Sequence, residues 1–239
     1  MKGRPDGRAP DELREIHAEL GYQEWAEGSV LLTQGRTRVL VSASVLDEAP
    51  RWLRGTGKGW VTGEYSMLPR ATTERTPREV NRGRPGGRTQ EIQRLIGRSL
   101  RSVTDLDRLH ERTITLDCDV LQADAGTRCA SVTGGYIALA LALRTLAERG
   151  VVPADLLTDS VAAVSVGIVE GRPVLDLSYA EDASAAVDCN VVMTGAGRLV
   201  EVQGTAEGDP FSRADLDALL DLAETGIKSL TQFQRDTLG

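Results

Sequence analysis

Residues 113–128 read TITLDCDVLQADAGTR. Over Thr113 to Val120 apolar and polar side chains alternate strictly, with Ile114, Leu116, Cys118 and Val120 on one face and Thr115, Asp117 and Asp119 on the other. Successive side chains of an extended chain point to opposite sides, so the pattern predicts a strand with one face buried. The strand runs through Gln122, Ala123, Asp124 and Ala125 into Gly126-Thr127-Arg128. Beyond it the apolar stretch predicts a long helix to about Arg149, stopped by Gly150 and Pro153.

Working outward, Val30 to Leu32 and Val39 to Ser44 flank the turn-like Gln34-Gly35-Arg36 and read as a hairpin. Val161 to Val169 and Val174 to Leu177, joined across Glu170-Gly171-Arg172, read as another, and Asn190 to Gln203 as a third. In this last, VVMTGAGRLVEV can be laid over VLLTQGRTRVLV of the first with apolar residues in matching places at both ends, which makes an internal duplication an expectation. A helix is expected from about Thr89 to Arg101, with Ile92, Leu95, Ile96 and Leu100 on one face. Another opens at Ser212, with Asp215 three residues on as a capping partner, and carries Leu216, Leu219, Leu220 and Ala223 along its buried side. The expected fold is a single α+β domain over residues 1–239, with two similar halves, roughly 1–150 and 151–239, of mixed β-sheet covered by helices.

A chain of 239 residues with 41% hydrophobic content can bury a sizeable core. No run approaches the roughly 18 apolar residues of a membrane span, and the N-terminus MKGRPDGRAPDELREIH lacks an apolar h-region, so neither export nor a membrane is expected. Cys118, Cys129 and Cys189 are widely spaced without a C-x-x-C pair, which points away from a disulfide framework or zinc site and toward a reducing cytoplasm. The net charge of −7 excludes a surface coated in basic residues for general nucleic-acid binding. Locally the balance reverses: six arginines (Arg70, Arg75, Arg78, Arg82, Arg84, Arg88) stand against Glu74 and Glu79 in a loop rich in Gly, Pro and Thr. That loop reads either as a solvated surface segment or as a nucleic-acid contact. The 4% aromatic content argues against a stacking sheet as the main mode of RNA binding.

Candidate chemistry gathers at helix starts, where unpaired N–H groups and partial positive charge seat anions. Gly126 lets the backbone approach a ligand, Thr127 donates from its hydroxyl and N–H, and Arg128 adds a planar fork matched to phosphate oxygens. Gly86-Gly87-Arg88-Thr89 delivers a second arginine to the start of the other helix. Taken singly, each reads as an ordinary turn and cap. Arg94, Arg98 and Arg101 fall at i, i+4 and i+7, an arrangement for an RNA backbone or for a solvated face partly neutralised by Glu91. Asp182 and Asp188, among small residues between two strands, can converge on a hard cation such as Mg²⁺ or serve as turn aspartates. Gly55-Thr56-Gly57-Lys58-Gly59 lacks both the leading glycine and the Ser or Thr of a P-loop.

These segments together carry a family resemblance. GGRTQEIQRLIGRSLRS, ITLDCDVLQADAGTRCASVTGGYIAL, VAAVSVGIVEG and DCNVVMTGAGRLVEVQGTAEGDPFS resemble the ribonuclease PH family, as does RPDGRAPDELR near the N-terminus. The resemblance runs from about Arg4 to the final helix. It implies a fold like domain 2 of ribosomal protein S5, with pseudo-twofold halves, assembled as a homohexamer, a trimer of dimers around an RNA channel. It also implies phosphorolytic 3′→5′ removal of nucleotides from transfer RNA precursors, and other RNAs such as ribosomal RNA, with inorganic phosphate as co-substrate and release of nucleoside 5′-diphosphates. The reverse reaction adds nucleotides.

By resemblance, the family's phosphate-binding residues fall on Arg88, Gly126, Thr127 and Arg128. Its acidic positions fall on Asp182 and Asp188, as catalytic groups and Mg²⁺ ligands. RNA contacts are then expected from Arg70, Arg75 and Arg78 of the basic loop and from Arg94 and Arg98. One departure is Ala125, where the family often has glycine. The competing reading is a non-catalytic RNA-binding ring subunit, which would be expected to lose Arg88, Arg128 or Asp182, and all three are present.

Overall fold

The computed structural model describes residues 3–239, without the side chains of Val80 and Arg82. The strand read at 113–120 is β5 (Thr113–Gln122), and it lies inside a five-stranded sheet with β1 (Ile16–Leu20), β2 (Gly28–Gln34), β3 (Thr37–Leu46) and β4 (Trp60–Met67). The strand order is β1-β2-β3-β5-β4, antiparallel except for the β4–β5 pair. A second, antiparallel sheet has the order β7-β6-β8-β9, from β6 (Val161–Val169), β7 (Arg172–Leu175), β8 (Val187–Thr194) and β9 (Leu199–Ala206). The fold class is α+β, and all three expected hairpins are present.

Helix α1 (Gly87–Arg101) lays Ile92, Leu95, Ile96 and Leu100 into the first core, starting two residues before the expected Thr89. It lies close on β4 because Gly63 has no side chain: a Cβ there would sit 2.5 Å from Ile96 Cγ2. Gly63→Ala would push apart a contact in which Ile96 is fully buried, and burial of such a side chain contributes roughly 1.5–3 kcal/mol.

Helix α2 (Thr127–Glu148) packs on β2 and β3 of the first sheet and on β6 of the second. Contrary to the reading of the sequence, it does reach the length and hydropathy of a membrane span. Its mean hydropathy is 1.4 over an 18-residue window, and 78% of that window is buried inside the protein. A helix apolar all round is what a position between two sheets requires.

Helix α3 (Tyr179–Asp182) is a single turn, and α4 (Arg213–Leu238) covers β6, β7 and β8. The cap expected at its start is formed: Ser212 Oγ accepts from the Asp215 N–H at 3.1 Å, and Asp215 Oδ2 accepts from the Ser212 N–H at 2.9 Å. Farther along, Leu219, Ala223, Ile227 and Leu230 are buried in the second core. Buried Gln234 donates to the carbonyls of Thr133 at 3.1 Å and Val161 at 2.9 Å, joining α4 to α2 and β6.

Candidate active site

The loop from β5 to α2 turns through two consecutive left-handed residues, Ala125 at φ 58° and Gly126 at φ 66°. Thr37 on β3 holds that turn, donating from Oγ1 to the Ala125 carbonyl at 2.7 Å and accepting from the Asp124 N–H at 2.9 Å. Arg14 Nη1 donates to the Asp124 carbonyl. So fixed, the first turn of α2 carries no acidic residue and, among the described residues, no side-chain cap. Its leading N–H groups and partial positive charge are left for an anion. The start of α1 differs, because Glu79 already accepts from the Gly86 N–H at 3.2 Å and from Thr89 Oγ1 at 3.0 Å.

A cavity of about 210 Å³ opens at the α2 terminus, and its lining includes Arg88, Gly126, Thr127, Arg128, Asp182 and Asp188. The phosphate-cradle and carboxylate residues selected from the sequence therefore meet in one place, drawn from α1, α2, α3 and β8. Buried Thr127 shares a 2.8 Å hydrogen bond between its hydroxyl and that of Tyr65 on β4. Arg128, with only 11% of its side chain exposed, is held by Glu91 at 3.2 Å and by Gln203 Oε1 on β9. Glu91 thus serves Arg128 instead of the arginine row on its own helix. Gln203 Nε2 donates in turn to Glu91 Oε1 at 3.2 Å.

The two carboxylates respond to this setting. Burial raises the Asp182 carboxyl above its ordinary range, against the pull of Arg88 and Arg128. Burial and then the neighbouring Asp182 charge raise that of Asp188. Among the described residues, Asp188 Oδ1 is buried with no hydrogen-bond partner. Such a pair suits a hard cation, since Mg²⁺ takes one or two carboxylates and completes its shell with phosphate oxygens and water. Among the described residues no group of three His, Cys, Asp or Glu gathers to cage a metal with protein ligands alone.

The arginines expected to meet RNA are spread more widely. Arg70 and Arg75 are exposed, and Arg78 lines an adjoining cavity of about 350 Å³ together with Arg88 and Tyr65. The side chain of Arg82 lies outside the described residues. Arg94 lines a separate groove with Trp60 and Arg101, and its Nε donates to the Gln90 carbonyl at 3.2 Å. Arg98 pairs with Glu201 on β9. Arg101 donates to the Val61 carbonyl at 2.7 Å and stacks 4.0 Å over the ring of Trp60.

Several residues of the site escaped the sequence. Tyr65, Tyr179, Asn190 and Gln203 carry no local signal. The same holds for the N-terminal arm, whose Arg4 donates to Glu181 Oε1 at 2.7 Å and so steadies the turn that presents Asp182.

Comparison with known proteins follows the same outline. Models of the 3′ exoribonuclease family match the chain twice, domain 1 over residues 12–144 and domain 2 over residues 159–226. A protein named ribonuclease PH from Moorella thermoacetica is 61% identical over 236 residues, covering 99% of this chain and 94% of its own length. Another of that name from Methylorubrum populi is 58% identical over 235 residues, covering 98% and 99% respectively. Among solved structures, a chain of the Archaeoglobus fulgidus exosome with RNA bound to the active site superposes with a TM-score of 0.78 at 23% identity, covering 96% of this chain and 92% of that one. With both domain models matched in order and close relatives aligned nearly end to end, the chain belongs to the 3′ exoribonuclease family.

Proposed function

We propose that this protein is a phosphorolytic 3′→5′ exoribonuclease that trims transfer RNA precursors, and other RNAs with a single-stranded 3′ end such as ribosomal RNA. The observation that carries this reading is the meeting of Arg88, Thr127 and Arg128 with Asp182 and Asp188 in one cavity at an open helix terminus. Inorganic phosphate sits at the α2 terminus, held by the Gly126–Arg128 backbone, the Thr127 hydroxyl and the two guanidinium groups. One of its oxygens attacks the terminal phosphorus of the RNA. The bond from that phosphorus to the 3′ oxygen of the preceding nucleotide breaks, and the released oxygen takes up a proton. The products are a nucleoside 5′-diphosphate and an RNA one residue shorter, and the reverse reaction adds nucleotides.

Positioning does most of this work. Two unit anions about 4 Å apart at an effective dielectric of about 20 repel by roughly 4 kcal/mol, which the paired arginines and the helix terminus offset. Asp182, set in the cavity with Arg88 and Arg128, assists departure of the 3′ oxygen. Asp182 and Asp188 would hold Mg²⁺, which when bound supplies Lewis acidity toward phosphoryl oxygens.

Family membership supports a homohexamer, three dimers around a channel too narrow for paired RNA, working in the cytoplasm. Arg70, Arg75 and Arg78 lead the RNA backbone toward the cavity, with Arg94 and Arg98 contributing from α1.

The test is release of nucleoside diphosphate from a transfer RNA precursor with a short 3′ extension, with and without phosphate, for wild type and Arg88→Ala. Phosphate-dependent diphosphate release that collapses in the variant is expected. Monophosphate release without phosphate would mean hydrolysis, and no release from an assembled ring would mean a non-catalytic subunit.

A further inference from the structure

We propose that Tyr179 is the platform on which the base of the 3′-terminal nucleotide stacks, a specificity-determining residue of the phosphorolysis proposed above, on which this inference rests. Tyr179 lines the same cavity as Arg88 and Asp182 and is 65% exposed. The other large exposed apolar side chains, Trp25 and Trp52 among them, lie outside that lining. Among the described residues the Tyr179 phenol makes no hydrogen bond and its ring no aromatic contact. A large ring left in water at the mouth of a polar cavity has a face to offer.

Its backbone, by contrast, is held at several points. The Tyr179 N–H donates to Asp124 Oδ1 at 3.2 Å, on the loop that shapes the phosphate seat. Ser178, the residue before it, donates from N and Oγ to Glu181 Oε2, each at 2.9 Å, and Arg4 clamps that same carboxylate. The one-turn helix is therefore anchored to the Asp124 loop and to the N-terminal arm. Positions i and i+3 of a helix share a face, so Tyr179 lies beside Asp182. A base on the ring brings its own sugar and phosphate toward Asp182 and Arg88.

Stacking on an aromatic ring tolerates any base, since every base has a π-face. What it discriminates against is an end with no base, or one whose last base is already stacked in a duplex. Tyr179 thereby favours an unpaired final nucleotide without reading sequence.

The experiment follows single-turnover removal of the last residue from two RNAs that differ only there, one ending in adenosine and the other in a stable abasic ribose. A base–aromatic stack is worth about 1–3 kcal/mol, or roughly 5–150-fold. Tyr179→Ala is expected to raise the half-saturating concentration of the adenosine-ended RNA by a factor in that range and to leave that of the abasic RNA unchanged. Tyr179→Phe, which keeps the ring, restores the wild-type preference. An equal shift for both RNAs would report a displaced α3 and overturn the proposal, as would no shift for either. Equilibrium binding of the same two RNAs reads the platform without chemistry, so a wild-type protein that released no diphosphate would sink the phosphorolysis reading and still leave this one decided.

Discussion

Arg14 Nη2 and Asp176 Oδ1 form a buried ion pair 2.6 Å apart, joining the N-terminal arm to the turn after β7. The backbone N–H and Nε of Arg14 also donate to Asp176 Oδ2, at 2.8 Å and 3.0 Å. Because Arg14 reaches on to the Asp124 carbonyl, one guanidinium links the second sheet to the loop that opens α2. Arg4 and Arg8 each donate to the Asp176 carbonyl at 3.0 Å. The arm is thus a brace for the phosphate seat.

Asp176→Ala would leave the Arg14 charge buried without its partner, a loss of roughly 3–5 kcal/mol for broken buried pairs. Urea unfolding is expected to show a destabilisation of that order, with phosphate binding weakened as the Asp124 loop loses its tether. A cost under about 1 kcal/mol would mean that water takes over the role of the carboxylate.

The brace was hidden in the sequence for a physical reason. Arg4, Arg8 and Arg14 lie more than 160 residues from Asp176 and Glu181, and no local periodicity encodes pairing over such a distance. Strand β4 was missed on similar grounds: its partner β5 is parallel and distant, and Gly63 interrupts the alternation that Val61 and Tyr65 would otherwise show. What could be read was local chemistry. Alternation gave β5, the apolar stripe gave α1, Ser212 and Asp215 gave the start of α4, and the glycine loop before Arg128 gave the open terminus of α2. The cradle residues were legible because their chemistry belongs to a helix end. Their supports, Tyr65 and Gln203, come from strands that only the folded chain brings near.

Ala125 occupies a left-handed conformation at φ 58°, where its Cβ crowds the backbone at about 1–2 kcal/mol. Glycine relieves that crowding but loses about 0.5–1 kcal/mol to greater freedom when unfolded. Ala125→Gly is therefore expected to raise the unfolding free energy by up to about 1.5 kcal/mol, measured by urea titration. A clear loss of stability would show that the methyl group makes compensating contacts.

The Tyr65 hydroxyl, in its 2.8 Å hydrogen bond with that of Thr127, helps to hold the threonine side chain in place. Tyr65→Phe keeps the ring in the core and removes that one bond, worth about 1 kcal/mol. The expected result is a KM for phosphate raised about fivefold, with KM for RNA little changed. A change in RNA affinity alone would place Tyr65 on the polynucleotide side of the cavity.

Asp188 sets activity against stability. Its carboxyl is raised above the ordinary value of 3.8, first by burial and then by Asp182. A carboxyl harder to ionise when folded stabilises the fold while protonated: the contribution is complete below the unfolded value and lost as pH rises through the folded one. At neutral pH the ionised group therefore opposes folding. Asp188→Asn removes that charge, so the variant is expected to be more stable than wild type near neutrality, with the gap closing as acid protonates Asp188 in the wild type. Carboxylates outside the Asp182–Asp188 pair, including Glu181 with its lowered pKa, are common to both proteins and largely cancel in the comparison. The same substitution should also lower kcat, because it removes one of the two carboxylates that would hold Mg²⁺ beside the phosphoryl oxygens. Urea midpoints of the two proteins measured from neutral pH into acid decide the point, and a variant less stable at neutrality would show that the Asp188 charge is already compensated in the fold.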